Sequence, residues 1–284
     1  MLRAAIGQAA VSVKTVVVTV VSFVALLFVL RVLSMVWAFV RLHGFVLRRR
    51  GDDLRVDYGL LTRVSGTIPL QRVQTLTVSE SPLHRVFGRV SVHVETAGGN
   101  GSEEQPTRRE PIAPLFRRAD VDTLIAALVP SVSIHEVQWQ APHPRAVRRA
   151  RIRTGTLAAV AALFATSVLR WWSIGAVVAL ALWAWIYGRK YVAHLGWAFV
   201  DDALVFRSGW LWRRMTMARF AKIQVVTRRE SPFDRRTGMA RVTVDTAGAT
   251  SSEHAIDIPF LRAETATSLA ATLAARAAAT AFKW

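Results

Sequence analysis

Apolar positions along the chain follow two patterns that alternate. From Thr15 to Leu30 no charged residue interrupts the run, and after Arg31 it resumes from Val32 to Val40. A helix over roughly 15–40 is long enough to cross ~30 Å of hydrocarbon with some tilt. Two further apolar runs, Thr154–Leu169 and Ile174–Tyr187, are separated by the polar-aromatic break Arg170-Trp171-Trp172-Ser173. They predict a helical hairpin, with Trp171, Trp172, Trp183, Trp185 and Tyr187 as interfacial belt residues. Arg31 and Arg170 are costly against lipid, so the expectation is that Arg31 snorkels or that both face neighbouring helices. The N-terminal segment can also be read as a short hairpin from near Ala4, with Lys14 as its misfit. No small-x-small cleavage site follows Leu30, which argues against a secretory signal peptide.

Elsewhere the period shortens to two. Val90, Val92 and Val94 alternate with Ser91, His93 and Glu95, the pattern of a half-buried strand. Asp53–Tyr58 and Leu60–Ser65 predict strands flanking a tight turn at Gly59, and Val73–Val78 is rich in β-branched residues. Ser81-Pro82 opens a short helical turn that Gly88 stops. After Pro114 the period becomes helical, with Val121, Leu124, Ile125 and Leu128 on one face.

The strand-rich region occurs twice. Residues 51–98 set against 201–248 give seventeen identities in forty-eight positions without a gap. They include Asp52/Asp202, Gly59/Gly209, Arg63/Arg213, Gln74/Gln224 and Glu80-Ser81-Pro82/Glu230-Ser231-Pro232. With a five-residue shift, Pro114-Leu115-Phe116-Arg117 aligns with Pro259-Phe260-Leu261-Arg262, and the closing helical period returns over 264–276. A period of this size is the duplication of a whole domain rather than a solenoid. Short strands closed by one terminal helix predict a small barrel or sandwich with a helical cap.

The run Gly51-Asp52-Asp53-Leu54 through Tyr58-Gly59-Leu60-Leu61 carries a family resemblance, as do Ile68-Pro69-Leu70-Gln71-Arg72-Val73-Gln74, Ser81-Pro82-Leu83 with Phe87-Gly88, and Val94-Glu95-Thr96-Ala97-Gly98. In order and spacing they resemble the bacterial pleckstrin-homology family of type two, the YdbS/YdbT-like membrane proteins. The match covers about 44–129. The second copy, about 194–277, is similar but has Arg219-Phe220 in place of the Pro-Leu pair and Thr237 in place of the aromatic before the glycine. The resemblance implies a seven-stranded PH-like barrel with a C-terminal helix, and membrane helices alternating with cytoplasmic domains. It supplies no catalytic residue. The expected fold class is therefore membrane α + β, with transmembrane helices alternating with two PH-like β-barrel or sandwich domains, each capped by a C-terminal helix. The expected segments are an N-terminal transmembrane segment (1–43), a first PH-like domain (44–130), a basic linker (131–153), a transmembrane hairpin (154–192) and a second PH-like domain (193–280).

Charge sharpens this picture. The chain carries 37 Lys+Arg against 19 Asp+Glu, a net +18. Residues 1–51 hold seven basic and no acidic residues, and residues 137–200 hold eight and none, so fifteen of the eighteen charges flank the apolar runs. By the positive-inside rule these flanks mark a cytoplasmic face. The clusters Arg48, Arg49, Arg50, Arg145, Arg148, Arg149, Arg151, Arg153, Arg189 and Lys190 are candidate contacts to anionic phospholipid headgroups. A second set, Arg213, Arg214, Arg219, Lys222, Arg228 and Arg229, predicts a basic face on the second domain. Nucleic acid is disfavoured, because exposed aromatics are not interleaved with these cations.

Candidate chemistry is sparse. The chain has no cysteine, which excludes disulfides, thiolate metal sites and thiol nucleophiles. No G-x-S-x-G, Walker A or H-E-x-x-H pattern occurs. Gly98-Gly99-Asn100-Gly101 opens no helix and reads as a loop. His93 with Glu95 reads as a surface pair rather than a metal site, and the repeated Glu80/Glu230 as a structural carboxylate ahead of a helix. The expectation is a multi-pass cell-membrane protein without catalytic residue, metal or cofactor. It would be a scaffold or adaptor presenting two cytoplasmic PH-like domains, in contact with the lipid bilayer and assembling as a homo- or hetero-oligomer with a related PH-like membrane protein. The alternative is a subunit of an export, transport or antimicrobial-resistance complex.

Overall fold

A computed structural model describes residues 13–97, 107–129, 137–169, 173–247 and 256–279. The Gly98–Gly101 loop and the Arg170–Trp172 break, with Arg170, lie outside them. The chain forms two compact units: residues 1–50 with 54–67, and residues 51–53 with 68–284.

The first unit contains α1 (Val13–Leu42) and a three-stranded sheet in the order β1 (Val46–Arg50), β2 (Asp53–Tyr58), β3 (Val64–Pro69). Among the described residues α1 is the helix long and apolar enough to cross a membrane, over Val18–Leu42, and that stretch is wholly unburied. Arg31 is exposed near its middle. β3 starts at Val64, later than the alternation over 60–65 predicts, because Gly59 turns the chain at φ +114. A Cβ at Gly59 would lie 2.0 Å from the Thr62 carbonyl oxygen, so only glycine admits this close return. Asp57 on β2 accepts a 2.6 Å hydrogen bond from the Ser65 hydroxyl on β3.

The second unit carries the rest of the first repeat and the whole of the second. β4 (Val73–Glu80), β5 (Arg89–Ala97) and β6 (Thr107–Arg117) follow one another as an antiparallel meander. β5 alternates buried and half-buried residues along its full length, as the sequence predicts. Ser81 caps α2 (Pro82–Val86) by accepting the His84 N–H, and α3 (Val121–Leu128) buries Val121, Ile125 and Leu128. α4 (Ala146–Leu169) and α5 (Ser173–Ala193) pack as a helical hairpin. Small residues let their backbones approach closely: Ala150, Ala158 and Ala184 are buried, and a Cβ at Gly188 would touch Arg151 Cγ at 2.9 Å. The Thr154 hydroxyl donates across the pair to the Ala184 carbonyl at 3.1 Å.

The second repeat has β7 (Gly196–Val200), β8 (Ala203–Ser208) and β9 (Arg213–Arg219), then β10 (Ile223–Arg229), α6 (Pro232–Thr237), β11 (Met239–Thr246), β12 (Ile256–Arg262) and α7 (Ala263–Ala279). Its core lies between the two sheets and α7, around Leu204, Val242, Val244, Ile256, Ile258, Leu269 and Leu273. The repeat thus forms a PH-like sandwich with a helical cap, the second of the two forms expected, with six strands among the described residues where the resemblance implies seven. Ser231 and Asp234 make a full capping box on α6, and Gly238 ends it in the left-handed conformation.

One feature has no counterpart in the sequence patterns. The sheets of the two repeats join edge to edge in one six-stranded sheet, β6-β5-β4-β9-β8-β7.

Candidate interaction surface between the two repeats

The join is an antiparallel ladder of β4 with β9, running from Thr75 opposite Ala218 to Glu80 opposite Arg213. Every residue of β4 except Ser79 is buried, and Thr216, Met217 and Ala218 are buried on β9. The Thr77 and Thr216 hydroxyls lie 3.3 Å apart across the ladder. At its end Glu80, with 8% of its side chain exposed, accepts from Arg118 at 2.7 Å and faces Arg213 at 3.6 Å. Arg213 also contacts the His194 ring at 3.1 Å. Beyond this end Arg85 donates to the Leu211 carbonyl at 2.9 Å, and at the other end Arg219 donates to the Leu70 and Val73 carbonyls. Burial lowers the Arg219 pKa, and burial with the neighbouring Arg219 charge lowers that of Lys222.

A cleft of about 560 Å³ opens beside the ladder, lined by Glu80, Arg118, Asp122, Trp139, His194 and Arg213 among others. Arg207 stacks over Trp139 at 4.4 Å on its wall. The carboxylate here is engaged by arginines, so the cleft has the chemistry of a charge-lined seam. No group of three or more His, Asp or Glu able to hold a metal occurs among the described residues.

The structure sorts the basic residues that the sequence singles out. Arg48, Arg49 and Arg50 are exposed on β1. Arg145, Arg148 and Arg153 are exposed at the start of α4, and Arg189 and Lys190 at the end of α5. Because Arg151 lies beside Gly188 and Thr154 beside Ala184, these two ends are at the same level of the hairpin. Arg149 pairs with Asp234 at 3.5 Å and stacks over Phe233, while Arg151 stacks over Trp185 at 4.5 Å. The six cations of the second domain do not share one surface. Arg213 and Arg219 are drawn into the ladder and Lys222 is buried, whereas Arg214, Arg228 and Arg229 are exposed, with Arg228 paired to Glu230.

In sequence Glu80 stands ahead of a helix, where a carboxylate has a structural role. The side chain instead pairs with Arg118 and Arg213. The signal available was that both ends of the Glu80–Arg213 pair belong to the repeated positions, Glu80/Glu230 and Arg63/Arg213.

The model of the family described as Bacterial PH domain matches the chain twice, over residues 5–132 and 150–277. The chain belongs to this family. The first match takes in α1 and runs past α3, and the second runs from within α4 through α5 into α7. The chain is 20% identical over 226 residues to the UPF0699 transmembrane protein YdbT of Bacillus subtilis (strain 168). That alignment covers 80% of this chain and 45% of the relative, so the chain spans less than half of that protein's length. No solved structure matches.

Proposed function

We propose that the chain is a non-enzymatic membrane scaffold, in which two PH-like domains act as one protein-binding platform held at the bilayer by α1 and the α4–α5 hairpin. The observation that carries this reading is the six-stranded sheet running through both repeats. A shared sheet requires both repeats to lie on one side of any membrane, so the hairpin between them enters and returns on that side. The exposed Arg145, Arg148, Arg153, Arg189 and Lys190 form a positive collar where the hairpin leaves the domains. Against an anionic leaflet each contributes ~1 kcal/mol, which favours a cytoplasmic orientation.

The test uses the absence of native cysteine. Val86→Cys in the first repeat and Trp212→Cys in the second, both at exposed positions, are labelled with a membrane-impermeant maleimide. Both sites are expected to be blocked in intact cells and open in inverted vesicles. Opposite accessibility of the two sites would contradict the shared platform, and labelling of both from outside would contradict the cytoplasmic orientation.

A further inference from the structure

The join between the repeats uses one edge from each. The first repeat contributes β4 and the second contributes β9, which is the counterpart of β3 in the duplication. The duplicates of these two strands are left without such a partner. β3 ends its three-stranded sheet and β10, the counterpart of β4, ends the sheet β10-β11-β12. Among the described residues neither has a strand on its outer side. The burial of equivalent residues differs accordingly: Thr75 is 1% exposed on β4, while its counterpart Val225 is 51% exposed on β10. Gln74 is buried and Gln224 exposed. An unpaired edge of this kind is a template for another strand.

We propose that β10 of one chain pairs antiparallel with β3 of a second copy of the same chain, repeating between molecules the β4–β9 ladder made within each. The inference rests on the scaffold reading and names its partner. Moving each member of the internal ladder to its duplicate fixes the register. Thr75 opposite Ala218 becomes Val225 opposite Ile68, Thr77 opposite Thr216 becomes Thr227 opposite Gly66, and Glu80 opposite Arg213 becomes Glu230 opposite Arg63. The carboxylate–guanidinium pair that closes the internal ladder is therefore retained between copies. In the first repeat Glu80 has two arginines, whereas Glu230 pairs with Arg228 and, with 25% of its side chain still exposed, can be reached by a second. Arg63 is exposed and supplies it. Arg228 itself comes opposite Ser65, whose hydroxyl is held by Asp57, so an acid faces the basic β10 from the β2–β3 side of the join.

The features that differ are compatible with this pairing. Pro69 replaces Arg219 but falls beyond the last pair of the transposed register, so its missing N–H removes no ladder hydrogen bond. Gly66 replaces Thr216 and leaves space opposite Thr227, with nothing within 4 Å of a Cβ built there. The contact is heterologous, with different surfaces from the two partners, and it leaves a free β3 at one end and a free β10 at the other. Such contacts build rings where the rotation closes and filaments where it does not.

Disulfide trapping in native membranes tests the register. Gly66→Cys and Thr227→Cys are placed in one chain, and Thr77→Cys with Thr216→Cys serves as the internal control, since those hydroxyls already lie 3.3 Å apart. On oxidation the control is expected to form a bond within the chain, and the Gly66→Cys/Thr227→Cys chain a reducible ladder of dimers and higher species. Membranes holding one chain with Gly66→Cys and another with Thr227→Cys should give dimers, while either variant alone gives none. On the double-cysteine background, Glu230→Arg or Arg63→Glu alone should lower the trapped fraction about threefold, the range of a partly exposed ion pair, and the two together should restore it. Dimers from Gly66→Cys alone, an internal bond between residues 66 and 227, or trapping to other membrane proteins instead of to this chain would each overturn the proposal. If the control forms but no ladder does, the second-copy contact fails and the scaffold reading stands. If the control also fails, the shared sheet and that reading fall together.

Discussion

The Glu80–Arg213 contact is where the join between the repeats can be measured. At 3.6 Å and an effective dielectric near 20, two unit charges attract by roughly 5 kcal/mol before desolvation is subtracted. Glu80 is nearly buried, but Arg213 is 35% and Arg118 58% exposed, so water returns much of that attraction. Fully exposed pairs contribute about 0.2–1 kcal/mol and breaking a fully buried pair costs about 3–5, which places this cluster between. Glu80→Gln removes the charge from both pairs and is expected to cost about 2 kcal/mol. Arg213→Met leaves Glu80 held by Arg118 and should cost about 1.5 kcal/mol. Urea unfolding of the solubilised full chain for wild type, both single variants and the double variant gives the coupling, expected at about 1 kcal/mol. A coupling below about 0.3 kcal/mol would refute the reasoning. The seam would then be held by backbone pairing and apolar burial alone, and the corresponding Glu230–Arg63 pair would lose its energetic basis.

Gly209→Ala should destabilise by at least ~2 kcal/mol in the same assay, since Gly209 sits at φ +82 and a Cβ there would lie 1.9 Å from the Trp212 carbonyl oxygen; an unchanged urea midpoint would show that the 209–213 turn can rearrange. His143 accepts the Arg145 N–H at Nδ1, and burial with the nearby Arg262 and Arg145 charges lowers its pKa below the ordinary 6.5. The folded chain therefore holds His143 neutral more strongly than the unfolded chain does. Its contribution is complete above pH ~6.5 and is lost as pH falls through the folded pKa. Stability measured against pH should fall over that window, and His143→Gln should flatten the fall; an unaltered profile would assign it to other groups.

Much of the architecture was legible because it rests on local periodicities. The alternation at Val90, Val92 and Val94, the Ser81 and Ser231 caps and the apolar face of the closing helix each involve residues close in sequence, and they recur in both repeats. The two edges of β3 were less legible. A run such as Leu60–Ser65 reads as strand by composition, but the return of the chain at Gly59 consumes its first four residues. Three of the cations assigned to one basic face were misplaced for another reason: Arg213 and Arg219 look like surface residues until a second sheet is brought beside them, and Lys222 until α7 packs against its turn.

By itself the sequence determined a membrane-length apolar helix, the acid-free basic flanks, the duplication and the PH-like unit that is duplicated. Tertiary structure decided what the two copies do with each other. Strand edges hydrogen-bond through the backbone, which is the same for nearly every side chain, so no residue pattern announces which edge meets which. Only the folded chain joins β4 to β9, turns Glu80 from a helix-flanking acid into a bridge between repeats, and leaves their duplicates β10 and β3 at sheet edges.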